Sequence, residues 1–170
     1  AVQLLDTQQP GRYHLNLCGS FVSAKTETPG EVYDESTLHA YIKKNGLEEC
    51  VTYHGQVIGK KKEKQFTQAN IFLLPTSYPW EGQPLSIIEA LSFSIPVISC
   101  NHKGIPEMVE PGRTGLFVKP KAPRSIASAI IDITEDSGRY SNMSLAAREY
   151  YEANFKREVH LNKLIKVIYG

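Results

Sequence analysis

Short apolar runs alternate along the chain with segments whose apolar residues recur at helical spacing. The runs predict five short strands, over residues 15–19, 50–53, 70–75, 96–100 and 115–118. Helices are predicted over residues 36–44, 60–68 and 84–93, and three more follow the last strand. The clearest helix is the final one, where Leu161, Leu164, Ile165 and Ile168 follow the i, i+3, i+4, i+7 pattern. The chain is therefore expected to alternate strands with helices and to end in a helical segment.

The alternation of strands and helices indicates the fold class. A strand, a helix and a further strand joined by short connections require a right-handed crossover and parallel strands. We expect an α/β fold, a Rossmann-like parallel sheet flanked by helices on both faces, in a single domain over residues 1–170. Ligands bind such sheets at the carboxyl ends of the strands, so a site is expected in the loops after residues 17, 53, 74 and 99.

Composition excludes several classes of protein. The chain has 170 residues and a net charge of +1, whereas a nucleic-acid binder would carry a clear basic excess. No apolar run approaches the roughly 20 residues that span a bilayer. The three cysteines fit neither a disulfide framework nor a zinc site, and they predict buried, reduced thiols in a cytoplasmic protein. The five histidines show no paired spacing typical of metal ligands.

The loop after the third predicted strand has the features of an anion site. Pro84 suits the first helical position, N1, because its missing N–H costs nothing there. The N–H groups of Leu85, Ser86 and Ile87 would then point out of the helix start without helical partners. Gly82 has no Cβ, so a ligand can approach its backbone closely. This arrangement suits a phosphate or a diphosphate.

Two carboxylates flank the predicted anion site. Glu81 lies just before the helix, and Glu89 lies inside it, about 7.5 Å along the axis from Pro84. Carboxylates bind sugar hydroxyls well, so a phosphate site with a carboxylate on each side describes a sugar nucleotide. Each glutamate also has a simpler interpretation, since Glu81 would complement the helix dipole and Glu89 would be a solvated surface residue. The residues alone leave both interpretations open.

The spacing of the two glutamates carries a family resemblance. Glu81 and Glu89, with seven residues between them, resemble the E-x7-E signature of retaining GT-B glycosyltransferases of the family 4 type. Other segments also resemble that family, namely residues 51–55, 69–75, 95–99, 104–109, 110–118 and 154–169. The resemblance covers nearly the whole chain and is most specific between residues 51 and 118. It implies the C-terminal half of a GT-B fold, with the first strand of that half missing.

The resemblance also implies roles for individual residues. Glu81 would be the catalytic residue and would hold hydroxyls of the donor sugar, while Glu89 would bind the ribose hydroxyls. The backbone around Gly82, Gln83, Pro84, Leu85 and Ser86 would hold the diphosphate, through the N–H groups of Gln83, Leu85 and Ser86. The backbone of Gln56, Val57 and Ile58 would line the base pocket. No metal and no cofactor are expected, because amides and cationic side chains offset the diphosphate charge.

The resemblance finally implies one part of a two-domain enzyme. The full-length protein would transfer a hexose-type sugar from a nucleotide-sugar donor to a glycan or lipid-linked acceptor, with retention of anomeric configuration, as in polysaccharide biosynthesis. The N-terminal acceptor domain is missing from this chain, so the isolated chain is expected to be inactive. The expected partners are the nucleotide-sugar donor and that missing domain, and no nucleic acid. The full-length protein would be cytoplasmic, with the inner membrane face reached only through the missing half.

Two residues depart from the family pattern. Ser94 stands where the family usually has the glycine that ends a helix, and Lys103 stands where it often has a first glycine. Lys103 would either place positive charge near the diphosphate or be a solvated surface lysine. These departures, with the missing strand, leave an alternative function, a non-catalytic Rossmann-like module with an assembly or regulatory role.

Overall fold

The computed structural model describes residues 1–21 and 34–170. Within them the helices are α1 Val2–Gln8, α2 Glu35–Lys44, α3 Gly59–Gln68, α4 Leu85–Ser92, α5 Pro123–Thr134, α6 Ser137–Asn154 and α7 Arg157–Tyr169. The strands are β1 Leu15–Leu17, β2 Val51–Tyr53, β3 Phe72–Leu74, β4 Val97–Ser99 and β5 Gly115–Phe117, and a 3₁₀ turn covers Ile105–Glu107. Each strand lies inside the run that predicted it, and all described pairings between named strands are parallel. The α/β prediction is confirmed.

The chain divides into two compact units, Ala1–Gln65 and Phe66–Gly170. The strands follow this division, because β1 pairs with β2 in the first unit and β3, β4 and β5 pair in the second. The expectation of a single domain over residues 1–170 stays a prediction. Within the described residues, no helix combines the length and the apolar character that crossing a membrane requires.

The unit Ala1–Gln65 is built on the β1–β2 pair, with Leu15 opposite Val51. Its small core consists of Ile42, Leu47, Cys50 and Val51. Helix α2 begins at a capping box, in which the Asp34 carboxylate accepts a hydrogen bond from the Thr37 N–H at 2.8 Å. That backbone N–H, with the hydroxyls of Ser36 and Thr37, holds the pKa of Asp34 below its usual value. The cap thus fixes the start of α2.

The unit Phe66–Gly170 has the larger core, with β4 at the centre of the order β3–β4–β5. All three residues of β4 are fully buried, as expected for a central parallel strand covered on both faces. Gly115 opens β5, and a Cβ there would overlap the carbonyl oxygen of Val97. Glycine is therefore required for β5 to lie against β4.

Helix α6 is tied to two elements of the same unit. The Ser144 hydroxyl donates to the carbonyl oxygen of Ser94 just after α4, at 2.7 Å. The Tyr150 hydroxyl donates to the carbonyl oxygen of Glu107 in the 3₁₀ turn, at 2.9 Å. Burial, and next the negative charge of Glu110, raise the pKa of Tyr150, so this hydroxyl keeps its proton at neutral pH. Helix α6 therefore contacts the element that precedes β4 in the chain and the one that follows it.

The cysteines agree with the prediction in two cases out of three. Cys50 is buried in the unit Ala1–Gln65 and Cys100 in the unit Phe66–Gly170, whereas Cys18 is exposed. The prediction was wrong for Cys18. This residue directly follows the short strand β1 and lies outside the core. All three are free thiols.

Candidate functional site

Helix α4 starts one residue later than the sequence predicts. Pro84 has φ −64° and ψ 114°, so it is the N-cap, and Leu85 is the first helical residue. The extended ψ of Pro84 turns its carbonyl oxygen toward the helix, where it accepts from the Ile87 N–H at 2.9 Å. The prediction that Ile87 has a free N–H is therefore wrong. In the described part of the chain, the N–H groups of Leu85 and Ser86 donate to no protein acceptor.

The segment before α4, residues 75–84, is called here the β3 loop, and it is held by its own hydrogen bonds. The Tyr78 N–H donates to the Thr76 hydroxyl at 3.0 Å, and the Glu81 N–H donates to the Tyr78 carbonyl oxygen at 3.1 Å. His102 donates from Nε2 to the same Tyr78 oxygen at 2.8 Å. The loop between residues 75 and 81 thus has a defined path, fixed in part from a second loop.

That second loop, residues 100–104 after β4, is called here the β4 loop, and it contacts the β3 loop again at Gly104. A Cβ at Gly104 would lie 2.5 Å from the carbonyl oxygen of Gly82, closer than real Cβ atoms come. A Cβ at Gly82 would meet nothing within 4 Å. One side of the Gly82 backbone is therefore packed against Gly104, while the side where its own Cβ would stand faces open space.

The 3₁₀ turn adds a third contact to this assembly. Gln83 Nε2 donates to a carboxylate oxygen of Glu107 at 3.4 Å. The backbone of Glu107 is held in turn by the Tyr150 hydroxyl of α6. Sequence reasoning assigned no supporting role at the site to His102, Gly104 or Glu107. The available signal was the Gly-x-Pro-Glu segment shortly after a buried strand, which lies inside residues 104–109 of the family resemblance.

The backbone from Gly82 to Ser86 is called the rim. Gly82, Gln83 and Leu85 are exposed, with Leu85 exposed over 73% of its surface, and Pro84 and Ser86 are half-buried. The unpaired N–H groups at the start of a helix together carry a partial positive charge of roughly half an elementary charge. The rim therefore presents N–H groups and positive potential to whatever occupies the adjacent space.

Glu89 lies one helical turn after Leu85, about 6 Å along the axis. Both are on the α4 face opposite to the buried residues Ile87, Ala90 and Leu91. Side chains on a helix lean toward its N-terminus, so the Glu89 carboxylate leans toward the rim. Glu89 is half-buried, and its Oε2 atom is shielded from solvent. The interpretation of Glu89 as a fully solvated surface residue is therefore wrong.

Glu81 is half-buried and directly precedes the rim. The structure thus brings together, around one helix start, seven of the ten predicted site residues: Glu81, Gly82, Gln83, Pro84, Leu85, Ser86 and Glu89. Two aromatic side chains stand in the same loop, since Tyr78 is 58% exposed and Trp80 is 83% exposed. Such exposed rings beside an anion site offer stacking surfaces.

The remaining three predicted site residues, Gln56, Val57 and Ile58, lie between β2 and α3 in the unit Ala1–Gln65. Val57 is half-buried, and Ile58 is 71% exposed. Their role toward a base stays a prediction. Within residues 1–21 and 34–170, no three His, Cys, Asp or Glu side chains are grouped as a metal site would require.

Parallel strands flanked by helices, with an exposed backbone rim where β3 ends, define an α/β domain whose ligands bind at the carboxyl edge of the sheet. The chain belongs to the family Glycosyl transferases group 1, whose family model matches residues 1–150. The family resemblance read from Glu81 and Glu89 is thereby confirmed.

Three relatives illustrate the similarity. The amylovoran biosynthesis glycosyltransferase AmsK of Erwinia amylovora is 27% identical over 138 residues, covering 79% of this chain and 34% of its own length. A GDP-mannose-dependent alpha-(1-6)-phosphatidylinositol monomannoside mannosyltransferase of Mycobacterium tuberculosis is 27% identical over 139 residues, 79% of this chain and 36% of its own. Among solved structures, Anabaena HepE in complex with UDP superposes with a TM-score of 0.82 at 20% identity, covering 98% of this chain and 43% of HepE.

These comparisons show the family and the GT-B type of fold. The chain spans about a third of the length of the curated relatives it matches. The activity of the whole protein is therefore taken up as a proposal.

Proposed function

We propose that this chain binds the nucleotide-sugar donor of a retaining glycosyltransferase, with the donor diphosphate at the rim. The observation that carries the proposal is the exposed rim of α4, with N–H groups left unpaired at Leu85 and Ser86 and open space beside Gly82. Phosphate oxygens accept hydrogen bonds from such N–H groups, and the helix dipole favours their negative charge. Pro84 has no N–H, so Gln83, Leu85 and Ser86 are the proposed donors.

The two glutamates are proposed to bind hydroxyl groups on either side of the diphosphate. Glu89 leans toward the rim from within α4, which suits the ribose of the nucleotide. Glu81 stands at the other end of the rim, in a loop held by the Tyr78 carbonyl oxygen, which suits the donor sugar. A carboxylate accepts hydrogen bonds from two neighbouring hydroxyls in one plane. The proposed order along the rim is therefore sugar, diphosphate and ribose.

Membership of the family and the descriptions of relatives support the transfer chemistry. AmsK is described as an amylovoran biosynthesis glycosyltransferase, and HepE was solved with UDP and with UDP-glucose. We propose that the full-length protein transfers a hexose-type sugar, with retention, to a glycan or lipid-linked acceptor held by a further domain. The chain alone is proposed not to turn over, because transfer needs an acceptor positioned against the donor with water excluded.

In the experiment, UDP, GDP, ADP and the corresponding nucleotide sugars are titrated into the chain, and binding is measured by calorimetry. We expect saturable, weak binding of one nucleotide series, and no change on adding EDTA, since the proposal assigns no metal. Glu89→Ala should abolish this binding. Glu149→Ala is the matched control, because it removes an exposed glutamate of α6 that pairs with Arg113 at 3.5 Å and is expected to keep full affinity. No binding of any nucleotide at millimolar concentration would overturn the proposal and favour the non-catalytic module.

A further inference from the structure

The chain segment that carries the rim is poor in cations. Between residues 65 and 112 the sequence contains four glutamates, and its one lysine or arginine is Lys103. Helix-start amides supply only about half a positive charge, whereas a bound nucleotide diphosphate adds several negative charges to a surface that already carries Glu81, Glu89 and Glu107. Lys103 is the cation in this stretch that can offset them.

The two neighbours of Lys103 both hold it against the β3 loop. His102 donates to the Tyr78 carbonyl oxygen at 2.8 Å, and Gly104 packs directly on the Gly82 carbonyl. Consecutive Cα atoms are 3.8 Å apart, which places the Lys103 Cα within roughly 8 Å of the Gly82 oxygen. A lysine side chain spans roughly 6 Å through its four-carbon stem. The rim thus lies within reach of the Lys103 ammonium group.

Lys103 is also exposed and adopts a backbone conformation that suits glycine. Its φ is +51°, in the left-handed region that an L-residue rarely adopts. Among the described residues Lys103 has no ion-pair partner. The Lys103 ammonium group is therefore available to a ligand at the rim.

We propose that Lys103 is a donor-binding residue, whose ammonium group binds the diphosphate of the nucleotide sugar at the rim. This inference rests on the proposed function and adds the cation that the rim lacks. An ammonium group next to phosphate oxygens forms charge-assisted hydrogen bonds, which are stronger than bonds between neutral groups. Lys103 therefore contributes to the preference for a diphosphate over a nucleoside.

The test compares variants of Lys103 in titrations with the tightest-binding nucleoside diphosphate and with the matching nucleoside. Lys103→Gln removes the charge but keeps a side chain with a Cβ atom. Lys103→Gly removes the whole side chain and relieves the strained φ. Each should weaken diphosphate binding about tenfold and leave nucleoside binding unchanged. Lys103→Arg keeps the positive charge and should keep the diphosphate affinity of the unchanged chain. Rising salt should weaken binding more in the unchanged chain than in Lys103→Gln.

Lys121→Gly is the matched control. Lys121 is another exposed lysine with positive φ, +55°, but it follows β5, which β4 separates from β3 by roughly 10 Å. This variant should keep both affinities. Unchanged diphosphate affinity in Lys103→Gln and Lys103→Gly would overturn the role of Lys103 and leave the proposed function standing. Absence of diphosphate binding in the unchanged chain would overturn both.

Discussion

A Cβ atom on Gly104 would lie 2.5 Å from the carbonyl oxygen of Gly82, so these two backbones are in direct contact. The contact joins the loops that follow two adjacent parallel strands, β3 and β4. Gly104 has an ordinary φ of −78°, so glycine is needed there for space rather than for conformation. The position of the rim therefore depends on the absence of one side chain.

Gly104→Ala should displace the rim. We expect a loss of about 1–3 kcal/mol in the free energy of unfolding, because a methyl group forced into a packed contact must move backbone atoms. Nucleotide affinity should fall as well, since the amides of the rim move with Gly82. Urea unfolding and nucleotide titration measure the two effects. Unchanged stability and affinity would show that the loops are not in contact.

Gly82→Ala should lower nucleotide affinity without lowering stability. Its Cβ would meet no protein atom within 4 Å, and its φ is not in the left-handed region. The free energy of unfolding should therefore change by less than about 0.5 kcal/mol. If a diphosphate occupies the adjacent space, the methyl group will exclude it, and affinity should fall by about tenfold or more. Full affinity in this variant would show that the ligand does not approach Gly82.

Ser94→Gly should stabilise the chain. Ser94 follows the C-cap of α4 and has φ +61°, where an L-residue is strained and glycine is not. We expect a gain of about 0.5–1 kcal/mol in urea unfolding, after the entropic cost of glycine is subtracted. The hydrogen bond from Ser144 goes to the Ser94 backbone and is kept. Ser92→Gly, two residues earlier inside α4, is the control and should destabilise. Destabilisation by Ser94→Gly would contradict the strained conformation.

The three cysteines should react at different rates with a thiol reagent. Cys18 is exposed, whereas Cys50 and Cys100 are buried. Desolvation raises the pKa of the two buried thiols, and partial desolvation raises the pKa of Cys18 although its surface is exposed. The native chain should label at Cys18 first, and the other two should label only when their units open. Mass spectrometry of native and urea-treated samples distinguishes the sites. Rapid native labelling of Cys100 would contradict the packing of β4.

The sequence predicts the elements well because their hydrophobic patterns are local. The runs around residues 72–74 and 97–99 were both identified as strands, yet only the fold shows that β4 is central and fully buried. The anion site was predicted from Gly82 and the helix start alone. The exact helix start was not, because either Pro84 or Leu85 satisfies the local rules and only the ψ of Pro84 decides between them.

Contacts between loops lie beyond sequence reasoning. Gly82 contacts Gly104, and Tyr78 contacts His102. The residues of each pair are more than twenty positions apart in the sequence, and they meet because β3 pairs with β4. The family comparison came closest, because it marked Ser94 and Lys103 as unusual at glycine positions. Both have positive φ in the structure, so the backbone conformation is kept although the residue has changed.

The most direct test of the donor-site account is an amide-resolved NMR titration of the chain with UDP, GDP and ADP. The account predicts saturable shifts at the N–H groups of Gly82, Gln83, Leu85 and Ser86, lost in Glu89→Ala. Saturable binding that leaves these four amides unshifted, or no binding of any of the three nucleotides, would contradict it.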